Sequence, residues 1–239
     1  RERTECAREN RRNFFSCGHC GNMTARWKNQ TVKLATFNAN SIRSRLDTII
    51  AWLRAHEPDV LCVQETKVQD ADFPLEPLEA AGYYVAFKGQ KSYNGVAILS
   101  LKKPDEVRTG LDDGGQRDDT RLMHARFGDL HVVNTYVPQG REVDHEMYHY
   151  KIEWFTRLRE YFARHFSVDD KVIWTGDLNV AIKPEDVHNP EERELHVCYH
   201  IDARNAFQAC RDWGFVDVFR QHHPEPGQFT FFDYRTPNA

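Results

Sequence analysis

Four short segments place polar side chains directly behind apolar runs: Phe37-Asn38-Ala39-Asn40, Gln64-Glu65-Thr66-Lys67, Asn134-Thr135-Tyr136 and Gly176-Asp177-Leu178-Asn179. Taken singly, an Asn or Asp that closes a strand is most often a turn former or a helix cap. Taken together, they supply the carboxylate and amide oxygens that hard cations such as Mg²⁺ or Mn²⁺ prefer, and such cations keep several waters that phosphate oxygens can replace. The chemistry favoured by these residue types is metal-assisted work on phosphate esters.

Groups of this kind are usually mounted where loops leave a rigid scaffold. The sequence provides one from Lys33 onward. Residues 34–39 and 59–64 read as buried strands on either side of a helix whose apolar face is Ile42, Leu46, Ile49, Ile50 and Leu53 and which stops before Pro58. Further strands are expected over 84–87, 95–101, 122–127, 130–136 and 172–175, several joined by hairpin-like turns such as Phe127-Gly-Asp-Leu130, so much of the pairing should be antiparallel. Ile152, Phe155, Leu158, Phe162 and Phe166 form one helical stripe, and Ala206, Phe207, Cys210 and Trp213 a shorter one. Strand, helix, strand order is the local unit of a layered α/β fold. No repeat or Gly/Ser linker interrupts residues 33–239.

Composition bounds the rest. With 239 residues, 40% apolar and 28% charged, the chain can bury the core of one large domain or two small ones and is not disordered as a whole. It has no apolar run of membrane-spanning length. A formal charge of −4 gives no global attraction to a polyanion, so nucleic-acid binding would have to be local. The six cysteines are scattered, as suits a reducing cytoplasm, and the start carries no secretory signal. Residues 1–33 hold eight Lys or Arg against three acids without apolar periodicity, so 1–32 reads as a disordered or non-native basic extension, and deleting residues 1–30 should leave folding and activity nearly unchanged. Cys17-Gly-His-Cys20 within it resembles half of a zinc site, but lacks a second pair.

The segments FNANSIRSR, DVLCVQETK, GQKSYNGVAIL, NTYVPQG, GDLNVA, WGFVDVFR and FTFFDYR resemble, in this order, those of exonuclease III-type apurinic/apyrimidinic endonucleases. The resemblance runs from about Lys33 to the last residue. QETK and GDLN alone would indicate the wider endonuclease, exonuclease and phosphatase superfamily, while FDYR narrows it to the DNA-repair branch. The resemblance implies an α/β fold: a four-layer sandwich of two facing mixed, mainly antiparallel sheets with helices outside and the site at one sheet edge.

By the same resemblance, Glu65 is the main metal ligand with Asn38 beside it. Asp177 and Asn179 complete the Mg²⁺ (or Mn²⁺) surroundings, Asp177 orienting or deprotonating the attacking water and Asn179 holding it. Tyr136 faces the scissile phosphate. Lys67, Asn94 of the Tyr93-Asn94-Gly95 turn, and Arg121 are candidates to hold the DNA backbone; Arg121 is otherwise a surface charge. Phe231 and Phe232 lie where the family packs an aromatic against a flipped or missing nucleoside, Phe231 replacing the expected Trp. The implied activity is incision 5′ of abasic sites and 3′-to-5′ exonuclease action on double-stranded DNA by a cytoplasmic monomer. Alternatives are a catalytically dead DNA-binding or interaction module and a phosphatase of the same superfamily. Family members continue past FDYR to a terminal Ser-Asp-His, so this chain, ending at Ala239, is expected to lack its last segment and to be weakly active and poorly stable on its own.

Overall fold

Apolar runs without alternation build the middle of the fold because both of their faces are covered. The computed structural model describes residues 12–16, 23–27 and 30–231. In chain order the strands are β1 (Arg12–Ser16), β2 (Met23–Trp27), β3 (Gln30–Asn38), β4 (Val60–Gln64), β5 (Tyr84–Lys88), β6 (Val96–Ser100), β7 (Glu106–Thr109), β8 (Leu122–Phe127), β9 (Leu130–Tyr136), β10 (Lys171–Asp177) and β11 (Phe215–Asp217). The helices are α1 (Leu46–His56), α2 (Leu75–Ala80), α3 (Glu146–His165), α4 (Ile201–Arg211) and α5 (Val218–His222).

One sheet runs β2-β3-β4-β6-β5 and the other β11-β1-β10-β9-β8-β7. Alternate residues of β4 show why its sequence is apolar throughout. Val60 and Cys62 join Val96, Ile98, Met123, Val132 and Ile173 between the sheets, whereas Leu61 and Val63 join Ile49, Leu53 and Leu78 under α1 and α2. On the far side, Trp154, Phe155, Leu158 and Phe162 of α3 pack with Phe207 of α4 onto Val133, Val172 and Trp174. The result is the α/β/β/α sandwich that the resemblance implies. Both sheets are mixed. Antiparallel pairs predominate in the first, while in the second the parallel pairs β1/β10, β1/β11 and β9/β10 outnumber β7/β8 and β8/β9.

The structure departs from the reading of residues 1–32 as an extension outside the domain. Its strand β1 lies between β10 and β11, with Phe14 opposite Trp174 and Asp217, and β2 pairs with β3. A five-residue strand bonded on both sides is fixed by ladder hydrogen bonds and not by a pattern of its own, so periodicity does not reveal it. The Cys17-Gly-His-Cys20 motif and the FDYR segment with Phe232 lie outside the described residues. Two other elements carry too little pattern to be read from sequence: α2 spans six residues, and the four-residue edge strand β7 is polar. Ion pairs flank β7 and its neighbour β8, Arg108 pairing with Glu106 at 2.6 Å and Arg126 of β8 reaching Glu106 and Asp105 at 3.5 Å.

Candidate active site at the sheet edge

Strand register brings the polar segments together. In the parallel pair β3/β4, Asn38 lies opposite Gln64, so Glu65 follows at the same edge, and in the parallel pair β9/β10, Asp177 lies opposite Tyr136. Beyond these ends the chain turns through left-handed backbone at Asn40, Ser41, Glu65, Lys67, Asn94 and Asn179, with φ between 43° and 93°. This region is uncommon for residues other than glycine and gathers at functional sites.

Asn38 connects the two carboxylates: its Nδ2 donates to Glu65 Oε1 at 2.8 Å and to Asp177 Oδ2 at 2.7 Å. Its Oδ1 accepts the Asn40 N–H at 3.0 Å. Asp177 Oδ1 accepts the Asn179 N–H at 3.0 Å, and Asn179 Nδ2 donates to the Val137 carbonyl at 2.9 Å. With its Nδ2 committed, Asn179 retains Oδ1 as an acceptor. Burial pushes the Asp177 carboxyl above the usual carboxylate range and the negative charge of Glu65 adds to this, while hydrogen bonds from Asn38 and Asn179 act the other way. The Tyr136 phenol is likewise pushed well up, first by burial and then by the charges of Glu65 and Asp177, so it remains a proton donor at neutral pH.

The donor set fits a hard divalent cation. Two carboxylates held together by one amide present oxygen ligands only, and a doubly charged ion would stabilise the Asp177 anion, which burial and the Glu65 charge disfavour. Among the described residues no cluster of three His, Cys, Asp or Glu side chains forms another metal-binding group.

Lys67, expected at the DNA backbone, donates to Glu65 Oε2 at 2.6 Å and to Asn40 Oδ1 at 2.5 Å, so its charge faces the carboxylate. The Asn94 carbonyl accepts the Lys67 N–H at 2.9 Å, and Gly95 bonds both Thr66 and Thr120 through its backbone. Arg121 is more than a surface charge: its guanidinium lies 4.9 Å from the Tyr136 ring centroid and donates to the Tyr136 carbonyl at 3.2 Å. Phe231 stands apart, 77% exposed and outside every buried cluster.

Some residues of the site's support escape sequence reasoning. Gln64 and Asn134, candidates by position alone, are buried between the sheets: Gln64 Nε2 donates to Thr36 Oγ1 at 3.0 Å and to Asn134 Oδ1 at 2.6 Å, and Asn134 Nδ2 donates to the Val63 and Ala97 carbonyls at 3.0 Å. Arg157 of α3 grips Asp113 and Asp118, and Tyr150 also bonds Asp118, clamping the loop that leads into Arg121. Lys151 is fully buried and serves three loop carbonyls. A signal for it did exist, since Lys151 falls on the stripe of Phe155 and Leu158 at helical spacing.

Residues 35–239 match the model of the Endonuclease/Exonuclease/phosphatase family. The chain is similar to exodeoxyribonuclease III of Haemophilus influenzae, 31% identical over 217 residues that cover 86% of this chain and 81% of that one. Among solved structures it is similar to an AP endonuclease from Archaeoglobus fulgidus, with a TM-score of 0.84 and 47% identity over 87% of this chain and 80% of that one. It is also similar to the 3′ phosphatase NExo from Neisseria bound to a product DNA hairpin, with a TM-score of 0.81 and 34% identity over 85% of this chain and 79% of that one.

Proposed function

The chain belongs to the exonuclease III-type apurinic/apyrimidinic endonucleases of the Endonuclease/Exonuclease/phosphatase family, and from that premise we propose that it is a DNA-repair hydrolase that incises 5′ of abasic sites and removes nucleotides from 3′ ends. The observation that carries the proposal is the single amide of Asn38 bonded to both Glu65 and Asp177, which puts a cation ligand and a general base in one rigid unit.

In this reading Asp177 accepts the proton of the attacking water, aimed by the Asn179 N–H and by Asn38. The free Oδ1 of Asn179 receives a hydrogen bond from the same water. Tyr136 donates a hydrogen bond from its phenol to a phosphate oxygen, and Arg121, stacked on its ring, brings positive charge to the same side, so preorganised donors meet the developing phosphoryl charge as the P–O3′ bond breaks and the leaving oxygen takes a proton from solvent. A Mg²⁺ or Mn²⁺ ion held by Glu65 with Asn38, Asp177 and Asn179 would neutralise further charge on the phosphate oxygens. Lys67 and Asn94 border the path of the DNA backbone, and Phe231 is available to pack against an abasic gap.

A 3′-phosphatase activity at the same site is a second reading, supported by the likeness to the Neisseria 3′ phosphatase; both reactions transfer a phosphoryl group to water. The proposal includes a monomer in the cytoplasm. Unpaired buried Cys62 and Cys210 support a reducing compartment, and among the described residues no helix is long and apolar enough to cross a membrane.

The test is Mg²⁺-dependent cleavage of a duplex with one abasic site, beside duplexes ending in 3′-hydroxyl and 3′-phosphate. Cleavage that disappears in Glu65→Ala and Asp177→Ala supports the assignment. Turnover unaffected by either substitution in a folded protein rejects it.

A further inference from the structure

We propose that Lys151, in the middle of α3, is a positioning residue that locks the Asp177–Asn179 turn and so aims the Asp177 carboxylate. The inference rests on the active-site reading above. Lys151 is fully buried on α3 beside Trp154, Phe155 and Leu158, and its Nζ donates to three backbone carbonyls: Asn179 at 2.6 Å, Val197 at 2.8 Å and Gln139 at 3.2 Å. Removing an ammonium from water costs more than burying an apolar side chain of similar length. The arrangement is sustained because buried carbonyls also need donors, and here one side chain serves three.

Those carbonyls are not scattered. Asn179 begins and Val197 nearly ends the segment between β10 and α4, while Gln139 lies between β9 and α3. Lys151 therefore gathers both ends of one long connection and a neighbouring loop onto a single point of a rigid helix. A backbone bond from the Ala181 N–H to the Cys198 carbonyl at 2.7 Å closes the same connection one step further out.

Asn179 makes the consequence chemical. It holds left-handed backbone at φ 48°, a conformation that must be imposed by its surroundings. Its N–H is bonded to Asp177 Oδ1 at 3.0 Å and its carbonyl to Lys151, so both peptide units around the strained residue are pinned. Without the ammonium, the carbonyl loses its donor and the turn is free to relax. Asp177 then loses the N–H that orients it, although Lys151 touches no atom of Asp177 through these bonds.

The experiment compares wild type with Lys151→Met, which keeps length and apolar volume, and Lys151→Arg, which keeps charge and donors. Backbone amide exchange is followed by NMR at Asn179 and Ala181, with Leu158 and Trp174 as core references. The expected result for Lys151→Met is exchange at Asn179 and Ala181 faster by on the order of tenfold or more, with the core references unchanged. On an abasic duplex with Mg²⁺, kcat should fall by at least about tenfold while KM stays within about threefold, because misaimed groups cost the chemical step more than binding. Lys151→Arg should recover part of the loss in both readouts. If Lys151→Met does not fold, Lys151→Gln, which keeps one donor group, takes its place. Unchanged exchange at Asn179 and Ala181, or unchanged kcat, would overturn the proposal, as would a loss confined to KM. Absence of cleavage in the wild type would reject the nuclease reading instead, and the exchange data would still decide whether Lys151 holds the turn.

Discussion

Asn38 Nδ2 lies 2.7 Å from Asp177 Oδ2 although the two residues are 139 positions apart and sit on different sheets. The same nitrogen reaches Glu65 at 2.8 Å, so one side chain fixes the spacing of both carboxylates. Asn38→Ala should leave the fold intact but lower the affinity for Mg²⁺ by about 10- to 100-fold, the usual effect of losing a group that orients metal ligands. Titration of Mg²⁺ against thermal unfolding reads this directly, since a cation bound only to the native state raises the melting temperature. Equal Mg²⁺-dependent stabilisation in variant and wild type would show that the bridge is dispensable.

Two backbone positions should respond in opposite senses. Gly95 has φ 96°, and a Cβ there would lie 2.0 Å from Thr66 Oγ1, inside the loop that carries Glu65. Gly95→Ala should therefore destabilise by about 1–3 kcal/mol and reduce activity, because the conformation is strained and the neighbour is a short side chain with little room to yield. Glu57, at the end of α1, has φ 44° and bonds its N–H to the Leu53 carbonyl at 2.8 Å. Here Glu57→Gly should stabilise by roughly 0.5 kcal/mol, relief of the left-handed residue exceeding the entropy cost of glycine. Urea unfolding of the two variants measures both, and a stabilising Gly95→Ala would contradict the described turn.

Asn134 joins the sheets through bonds to Gln64, Val63 and Ala97. Asn134→Leu fills the space but takes a donor from two carbonyls and an acceptor from the Gln64 amide, and buried polar groups left short of partners cost about 1–3 kcal/mol each. A loss of at least about 3 kcal/mol in urea denaturation is the expected outcome. The paired change Gln64→Leu with Asn134→Leu should recover part of it, since one fewer buried polar group then lacks a partner; greater loss in the double variant would mean that the network is organised differently.

His124 sets a pH dependence. Its ring bonds Tyr161 Oη at 3.1 Å and His131 Nδ1 at 2.9 Å. Burial first, then the charges of His131 and Arg108, lower its pKa to about 3. A histidine depressed in the native state takes up its proton in the unfolded chain first, from about pH 6.5 downward, so its stabilising contribution is present above that value and is lost between pH 6.5 and about 3. Asp118, Asp177 and Asp217, raised by burial, oppose this at the acid end because the native state binds their protons first. The informative quantity is a difference: between pH 6 and 5, stability of the wild type should fall more steeply than that of His124→Gln by about 1 kcal/mol per pH unit. Parallel curves would place the titration elsewhere.

The strand ends of the candidate site were legible because each couples an apolar run to polar residues, and parallel register then brings Asn38, Glu65, Tyr136 and Asp177 to one edge. What holds them there was harder to read. Gln64 closes its strand as a polar residue just as Asn38 and Asp177 do, and only the facing sheet decides that it is buried against Asn134. Lys151 is masked by its charge, which argues against burial until three carbonyls are seen to converge on it. Strand β1 carries no periodic signal because its partners are residues 171–177 and 215–217, far along the chain.

The ion pairs along β7 have a consequence for self-association. Half-buried Glu106 and exposed Arg108 lie on the outermost strand of the second sheet, where an unprotected row of backbone N–H and C=O groups would be a template for another chain. A second copy adding its own strand there would have to desolvate and accommodate the charged Glu106–Arg108 pair. Replacing both with threonine would turn the edge into a flat run of β-branched residues, Thr-Val-Thr-Thr, of the kind that recruits further strands. Two charged residues thus separate a sheet that ends from one that could grow.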